Sequence, residues 1–216
     1  MDVDLRALER SIEGAAAAHQ RLLTHLDAAG DVDPTTPSRL PDWTIGHVLT
    51  HVARNADSFV GMFDGAERGE VVDQYPHGRE GREADIEAGA SRPWDQLVAD
   101  VRATAWALEG TWARHTRWDG VGNTFSGRMP VADLPGRRWR EVDVHHVDLG
   151  LGYETSDWPG EFVREELRRM EMLWNARQPM GMTGLPADAL QAAPDVRLAW
   201  LFGRVELAGL PPAGIF

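Results

Sequence analysis

The segment WREVDVHHVDLGLGY, residues 139–153, contains a glutamate followed by two adjacent histidines. Glu141 and His145 are four positions apart, so on a helix both side chains lie on the same face, about one turn apart. His146 points about 100° away from His145 and cannot share its direction. We therefore predict a helix over about residues 135–150 in which Glu141 and His145 can bind one ion, while His146 packs or supports them.

A second pair with the same spacing, His47 and His51, occurs upstream in the segment GHVLTHV. Two imidazoles and a carboxylate are a common ligand set for catalytic zinc, with a fourth position left for water or substrate. Such pairs also arise by chance, and a histidine beside valines on an amphipathic helix is often half-buried with a hydrogen bond. Spacing alone leaves both interpretations open. The other histidines show no such spacing and are assigned to the surface or the core: His19, His25, His77 and His115.

The composition limits the chemistry that the chain can perform. Its 216 residues include no cysteine, which excludes disulfides, thiolate metal ligands and a protein thiol nucleophile. Any metal must be held by His, Asp or Glu, and any thiol chemistry needs a thiol from outside. The net charge of −12 argues against a nucleic-acid partner, because phosphate binding requires a basic patch. With no apolar run near the roughly 20 residues that span a bilayer and no signal-peptide pattern, we expect a cytoplasmic protein without a membrane partner.

Apolar residues recur every three or four positions in four long segments, which predicts four long helices. The predicted segments are the first 30 residues, Asp42 or Thr44 through Phe63, Pro93 through Trp112, and residues 135–150. The polar stretch 64–91 is predicted to be a loop with one short helix at READIEAGA, residues 82–90, and the irregular stretch 114–136 to hold a short hairpin or a long excursion. These elements predict a mainly all-α protein built on a four-helix bundle with long crossover loops, whose core suits a metal site.

A boundary is predicted near Thr155, with residues 1–155 as the metal-binding bundle and 156–216 as a small, mostly helical region that closes the site. In this region EFVREELRRMEMLWNAR, residues 161–177, predicts a fifth helix, with Asp157 as its N-cap and Pro159 just inside. A Gly/Pro/Met-rich connector over 178–190 leads to a last short helix over 194–204. No alternating pattern typical of a strand follows Glu154.

Two stretches, RLPDWTIGHVLTHVARNADSFVGM (39–62) and GRRWREVDVHHVDLGLGY (136–153), resemble the signature segments of the mycothiol-dependent maleylpyruvate isomerase family. That family belongs to the DinB-like metalloenzymes, and the resemblance covers about residues 1–155. In the family, the second histidine of the first stretch and the glutamate and histidine of the second bind zinc. The resemblance therefore implies a DinB-like bundle with one Zn²⁺ per chain, held by His51, Glu141 and His145. It also implies that His47 is not a ligand.

Two arginines match family positions less closely. Arg82 precedes an acidic and apolar run, and Arg204 in LAWLFGR corresponds to an arginine that the family brings from its C-terminal region toward the zinc. The resemblance implies catalytic roles for both, since a planar guanidinium suits a dicarboxylate substrate or a carboxylate of the thiol. A solvated arginine or a structural salt bridge is the alternative for each.

The resemblance also implies the reaction. The thiolate of mycothiol, or of a similar low-molecular-weight thiol, adds to the cis double bond of a small electrophile such as an unsaturated dicarboxylate. The former double bond rotates, and elimination of the thiol gives the trans product. The same first step serves a mycothiol S-transferase that conjugates electrophiles, and a DinB-like protein that binds a metal or ligand without catalysis is the alternative of another class. We expect the isomerase, as a monomer or small homo-oligomer.

Overall fold

Long α-helices and a β-hairpin form the first of two units into which the chain divides, residues 1–151 and 152–216. The structure is a computed structural model and describes residues 3–177 and 184–214. The elements of the first unit are α1 (Leu5–Ala28), α2 (Ile45–Glu67), α3 (Gly78–Ala90), α4 (Trp94–Arg114), β1 (Val121–Thr124), β2 (Gly127–Pro130) and α5 (Leu134–Asp148).

The helices α1, α2, α4 and α5 form the predicted four-helix bundle. Both α1 and α2 pack against α4 and against α5, so the four helices close into a ring around one core. The apolar side chains that recur every three or four residues point into this core. Among those fully buried are Leu22, Leu26, Val48, Leu49, Leu97, Leu108 and Val142. The prediction of a mainly helical bundle is confirmed.

Half of the stretch between α2 and α4, residues 68–93, folds into α3. This helix begins at Gly78, ahead of the predicted start at Arg82. The helix buries only Ile86 and Ala90, so its sequence carries few apolar residues at helical spacing. For this reason its first turn was not predicted. The short helix itself is confirmed.

The predicted hairpin is present, with β1 and β2 antiparallel from the pair Val121–Pro130 to the pair Thr124–Gly127. Residues 72–74 run beside β1: the Asn123 amide donates to the carbonyl of Val72 at 2.9 Å, and the Gln74 amide donates to the carbonyl of Asn123 at 2.8 Å. These bonds bring the start of α3 next to the hairpin tip.

The second unit contains α6 (Gly160–Arg177), α7 (Ala187–Gln191) and α8 (Pro194–Leu201), and α6 packs against α8. A mostly helical C-terminal region is confirmed, and its described residues form no strand. Residues 178–183 of the predicted connector lie outside the described residues. Across the described parts of both units, no helix has the length and apolar character needed to cross a bilayer.

Asp157 does not cap α6 as predicted. It ends a 3₁₀ turn over Thr155–Asp157, where its carboxylate accepts from the Glu154 amide at 2.8 Å. Trp158 then adopts an extended backbone, with φ −59° and ψ 133°, as expected for a residue before proline. The helix therefore begins only after Pro159.

Gly46 lies where α2 meets the end of α3. A Cβ at this position would be 1.9 Å from the carbonyl oxygen of Ala90, and the Gly46 amide donates to the carbonyl of Pro34 at 2.9 Å. No side chain fits without moving backbone. At Gly61, in the same helix, a Cβ would meet nothing within 4 Å.

Replacing Gly46 by alanine should lower the free energy of unfolding by about 1–3 kcal/mol, because the added methyl group must displace the end of α3. Gly61→Ala is the matched control and should raise stability by about 0.5–1 kcal/mol, since alanine favours a helix interior over glycine. Urea denaturation of both variants checks this. Equal changes in the free energy of unfolding for Gly46→Ala and Gly61→Ala would contradict the close approach of Gly46 to Ala90.

Candidate functional site

His51, Glu141 and His145 lie together where α2 faces α5. The Nε2 atom of His51 is 3.1 Å from Nε2 of His145 and 3.2 Å from Oε2 of Glu141, and the same carboxylate oxygen is 3.4 Å from Nε2 of His145. The helical spacing of Glu141 and His145 puts both on the face of α5 toward α2, as predicted. In the part of the chain that the structure describes, these residues form the group that could hold a metal ion.

The spacing of these ligand atoms fits a tetrahedral ion. Zinc binds imidazole nitrogen and carboxylate oxygen at about 2.0–2.1 Å, so two ligand atoms on one tetrahedral zinc lie about 3.3 Å apart. The observed separations are 3.1, 3.2 and 3.4 Å. Zinc prefers ligand sets of imidazole nitrogens and a carboxylate oxygen, and this cluster supplies two nitrogens and one such oxygen.

The cluster is reachable from one side. The His51 side chain is 6% exposed, whereas the side chains of Glu141 and His145 are 28% and 13% exposed. Among the described residues no fourth potential ligand joins the three. This arrangement leaves room for a ligand from outside, which is typical of a catalytic site and not of a closed structural one.

Asp148 orients His145, a role that sequence reasoning missed. Its buried carboxylate lies 2.9 Å from Nδ1 of His145, one helical turn further along α5. A carboxylate accepts, so the imidazole donates its Nδ1 proton and presents the Nε2 lone pair to the cluster. The signal was available as an aspartate three positions after the histidine, which a helix places on the same face.

Arg82 reaches the same cluster from α3. Its Nη2 atom lies 3.1 Å from Nδ1 of His51. A guanidinium only donates, so Nδ1 accepts and the proton of the neutral ring is on Nε2, facing Glu141. A metal at Nε2 would need that lone pair and would leave the ring proton on Nδ1, opposite another donor. Metal binding is thus expected to release the Arg82 guanidinium for another anion.

The protonation states of His51 and Glu141 favour a cation. Burial lowers the pKa of His51 to about 4, which keeps this ring neutral. Burial alone would raise the pKa of Glu141, but hydrogen bonds with the His145 and His51 rings outweigh it and hold that pKa well below its ordinary value. Burial acts to lower the pKa of His145, and hydrogen bonds with Asp148 and Glu141 raise it above its ordinary value instead. A neutral imidazole and an ionised carboxylate are the forms that bind metal, so His51 and Glu141 are in the binding forms, whereas an ion at the site would have to displace a proton from His145.

His47 and His146 lie outside the cluster. Nδ1 of His47 lies 3.2 Å from the amide of Thr44 and 2.8 Å from its hydroxyl, which caps the start of α2. Nε2 of His146 faces Nδ1 of His25 at 2.6 Å, which joins α5 to α1 on the side away from His145. His47 therefore supports the start of α2, and His146 packs behind the cluster.

A buried arginine holds α5 against its neighbours one turn before Glu141. Arg138 is fully buried; its Nε donates to Nε2 of His19 at 2.9 Å, and its Nη1 donates to the carbonyl of Val52 and the side-chain oxygen of Asn55, both at 2.8 Å. His19 also contacts Glu109 of α4 at 2.7 Å. Sequence reasoning missed this network because it joins residues distant in the chain.

Arg204 lies in the second unit, shortly after α8. Its Nη1 donates to the carbonyl of Phe202 at 2.7 Å, and its amide donates to the carbonyl of Ala199 at 2.8 Å. Both bonds join Arg204 to residues close in the chain. The catalytic role of Arg204 stays a prediction.

Known proteins include a family whose model matches this chain and solved structures that share its fold. Residues 15–150 match the family described as the mycothiol maleylpyruvate isomerase N-terminal domain. The crystal structure of the mycothiol-dependent maleylpyruvate isomerase has a TM-score of 0.80 to this one at 22% identity, covering 92% of this chain and 90% of that chain. A histidine-to-alanine variant of that isomerase gives 0.80 at 21% identity with the same coverage. At these identities the likeness shows a shared fold. No protein of curated function matched significantly.

Alanine at His51, Glu141 or His145 should weaken zinc binding by more than about 100-fold, since removing a direct ligand costs more than removing a supporting residue. His47→Ala, on the same helix as His51, and His146→Ala, beside His145, should keep the affinity of the unchanged protein. Titration of metal-free protein against a competing chelator measures this. Tight zinc binding by His145→Ala would disprove the ligand assignment.

Asp148→Ala should weaken zinc binding by about 10–100-fold, because the His145 ring loses the acceptor that fixes its tautomer. Asp148→Asn keeps an acceptor oxygen and should recover part of the lost affinity. The same chelator competition reports both, with circular dichroism to confirm that each variant folds. If the asparagine and alanine variants bind zinc as the unchanged protein does, Asp148 has no orienting role.

Proposed function

The chain belongs to the family of the mycothiol maleylpyruvate isomerase N-terminal domain, and from this membership we propose that it is a zinc- and mycothiol-dependent isomerase. The proposed reaction converts the cis double bond of a maleyl-type substrate to trans. The observation that carries the proposal is the convergence of His51, Glu141 and His145 at 3.1–3.4 Å in a chain without cysteine. A site able to hold a metal, with no protein thiol near it, suits an enzyme whose thiol arrives as a cosubstrate.

His51, Glu141 and His145 would hold the zinc. A bound zinc ion supplies a Lewis acid that lowers the pKa of a thiol, so that thiolate is present at neutral pH. Asp148 keeps the Nδ1 proton of His145 and thereby holds this ring in the ligating tautomer. His51 is kept neutral by burial, which removes competition from a proton.

The thiolate of the cosubstrate adds to one carbon of the cis double bond. A carbon–sulfur bond forms, and the π electrons move onto the conjugated carbonyl oxygen, which gives an enolate. Rotation about the resulting single bond precedes return of the electron pair and loss of the thiolate. The atoms of the thiol are recovered unchanged, so the thiol acts catalytically.

Arginines supply the positive charge that this path needs. Arg82 lies at the cluster, where its guanidinium would hold a substrate carboxylate once it leaves Nδ1 of His51. Arg204 is proposed to stabilise the enolate, as the family resemblance implies. Preorganised donors of this kind act on charge that develops only during the reaction.

The substrate class and the cellular location are further parts of the proposal. The substrate is a small unsaturated dicarboxylate, and nucleic acid is not a partner of so acidic a chain. We propose a cytoplasmic location, where low-molecular-weight thiols are kept reduced.

The zinc-loaded protein, given mycothiol and maleylpyruvate, should form the trans isomer with full recovery of the free thiol, as followed by liquid chromatography with mass spectrometry. His51→Ala should abolish turnover and His47→Ala should not. Arg204→Ala should retain zinc and lower kcat/KM by about 10-fold or more, as expected for loss of one electrostatic donor.

A stable thiol–substrate adduct in place of the isomer would identify a thiol S-transferase. No thiol-dependent product with a zinc-loaded protein would contradict both enzymatic activities. Unchanged kinetics of Arg204→Ala would return this residue to a structural role.

A further inference from the structure

Four residues form a connected wall of arginines and aromatic rings beside the metal-ligand cluster, which we call the arginine–aromatic wall: Tyr75, Arg79, Arg82 and Phe125. Arg82 contacts Nδ1 of His51 at 3.1 Å, and its Cζ atom lies 5.7 Å from the centroid of the Tyr75 ring. Tyr75 stacks on Phe125 with centroids 5.3 Å apart and planes 18° apart. Arg79 completes the wall, with Cζ 5.0 Å from the Phe125 centroid.

The local structure of the chain brings these residues together. Arg79 and Arg82 are three positions apart on α3 and therefore lie on one face of that helix. The bonds of residues 72–74 with β1 bring Tyr75 beside the hairpin tip that carries Phe125. The wall runs from the half-buried Arg82 at the cluster to the exposed Arg79 and Phe125, and Phe125 is 51% exposed.

The two guanidiniums of the wall have no carboxylate partner. Within residues 3–177 and 184–214, neither Arg79 nor Arg82 forms an ion pair, whereas Arg54 and Arg92 share Asp100 and Arg102 pairs with Asp27. In a chain of net charge −12, an anion is repelled by most of the surface. Two cations without a direct carboxylate partner beside the cluster are therefore a local attraction for a negatively charged ligand.

The ring contacts leave N–H donors of the guanidiniums available for a ligand. A cation–π contact is made by the charge of the guanidinium over the ring and takes up none of its in-plane N–H donors. Those in-plane donors match the two oxygens of a carboxylate. The rings also restrict the two arginine side chains before binding, which reduces the entropy lost on binding.

We propose that the arginine–aromatic wall binds both ends of an extended unsaturated dicarboxylate, with Arg82 at the carboxylate next to the cluster and Arg79 at the far one. The inference rests on the proposed function for the reaction and adds a residue, Arg79, that selects dianions over monoanions.

A matched pair of probes tests this without thiol or turnover: trans,trans-muconate, a six-carbon conjugated dianion, and sorbate, the monoanion with the same carbon skeleton. Isothermal titration calorimetry of the zinc-loaded protein should show tighter binding of muconate. Arg79→Gln should reduce the muconate affinity about two- to fivefold, the range for a partly exposed charge pair, and leave sorbate binding unchanged. The preference should also shrink at high salt.

Arg10→Gln on the exposed face of α1 is the control, because it removes the same charge away from the wall. A muconate preference that is equal in Arg79→Gln and Arg10→Gln would overturn the proposal, as would a protein that binds neither probe. If the protein selects muconate through Arg79 but lacks thiol-dependent isomerisation, the proposed function is wrong and the binding role of the arginine–aromatic wall is supported. If the protein is an active isomerase and Arg79→Gln leaves its KM unchanged, the proposed function is supported and the binding role of the arginine–aromatic wall is wrong.

Discussion

The fully buried guanidinium of Arg138 connects every helix of the bundle. From α5 it donates to His19 of α1 and to Val52 and Asn55 of α2, and His19 contacts Glu109 of α4. Burial lowers the pKa of Arg138 to about 10, so the group is still charged at neutral pH. A buried charge is tolerated only where hydrogen bonds replace its lost water, which makes this arrangement of the helices hard to change.

This network also fixes the geometry of the metal-ligand cluster. Val52 directly follows His51, and Arg138 precedes Glu141 by about one helical turn, so the bond between them sets how α5 lies against α2. The side-chain atoms of His51, Glu141 and His145 consequently meet at distances suited to one small ion. Asp148 on one side and Arg82 on the other then determine how the two rings are oriented and which ring nitrogens carry protons. Side chains held in place in this way lose little entropy when a ligand binds.

Much of this arrangement was predictable from local patterns. The three-four recurrence of apolar residues predicted the bundle, and the spacing of Glu141 and His145 predicted their shared face, because both depend only on the period of the helix. The choice of His51 over His47 required the family resemblance, since the two have equivalent spacing relative to each other. The contacts of Arg138 with His19, and of Arg82 with His51, were not predicted because each joins residues brought together only by tertiary packing. Asp157 was misassigned because the constraint of Pro159 on Trp158 outweighs the capping preference of an aspartate.

We predict that His51, Glu141 and His145 form a metal centre, and the metal content of the purified protein reports on this. Protein purified without added metal should be analysed by inductively coupled plasma mass spectrometry, with the protein concentration measured independently by amino-acid analysis. We expect about one zinc per chain, as for one three-ligand site. A folded protein that carries no metal, and that takes up none on dialysis against zinc, would contradict it.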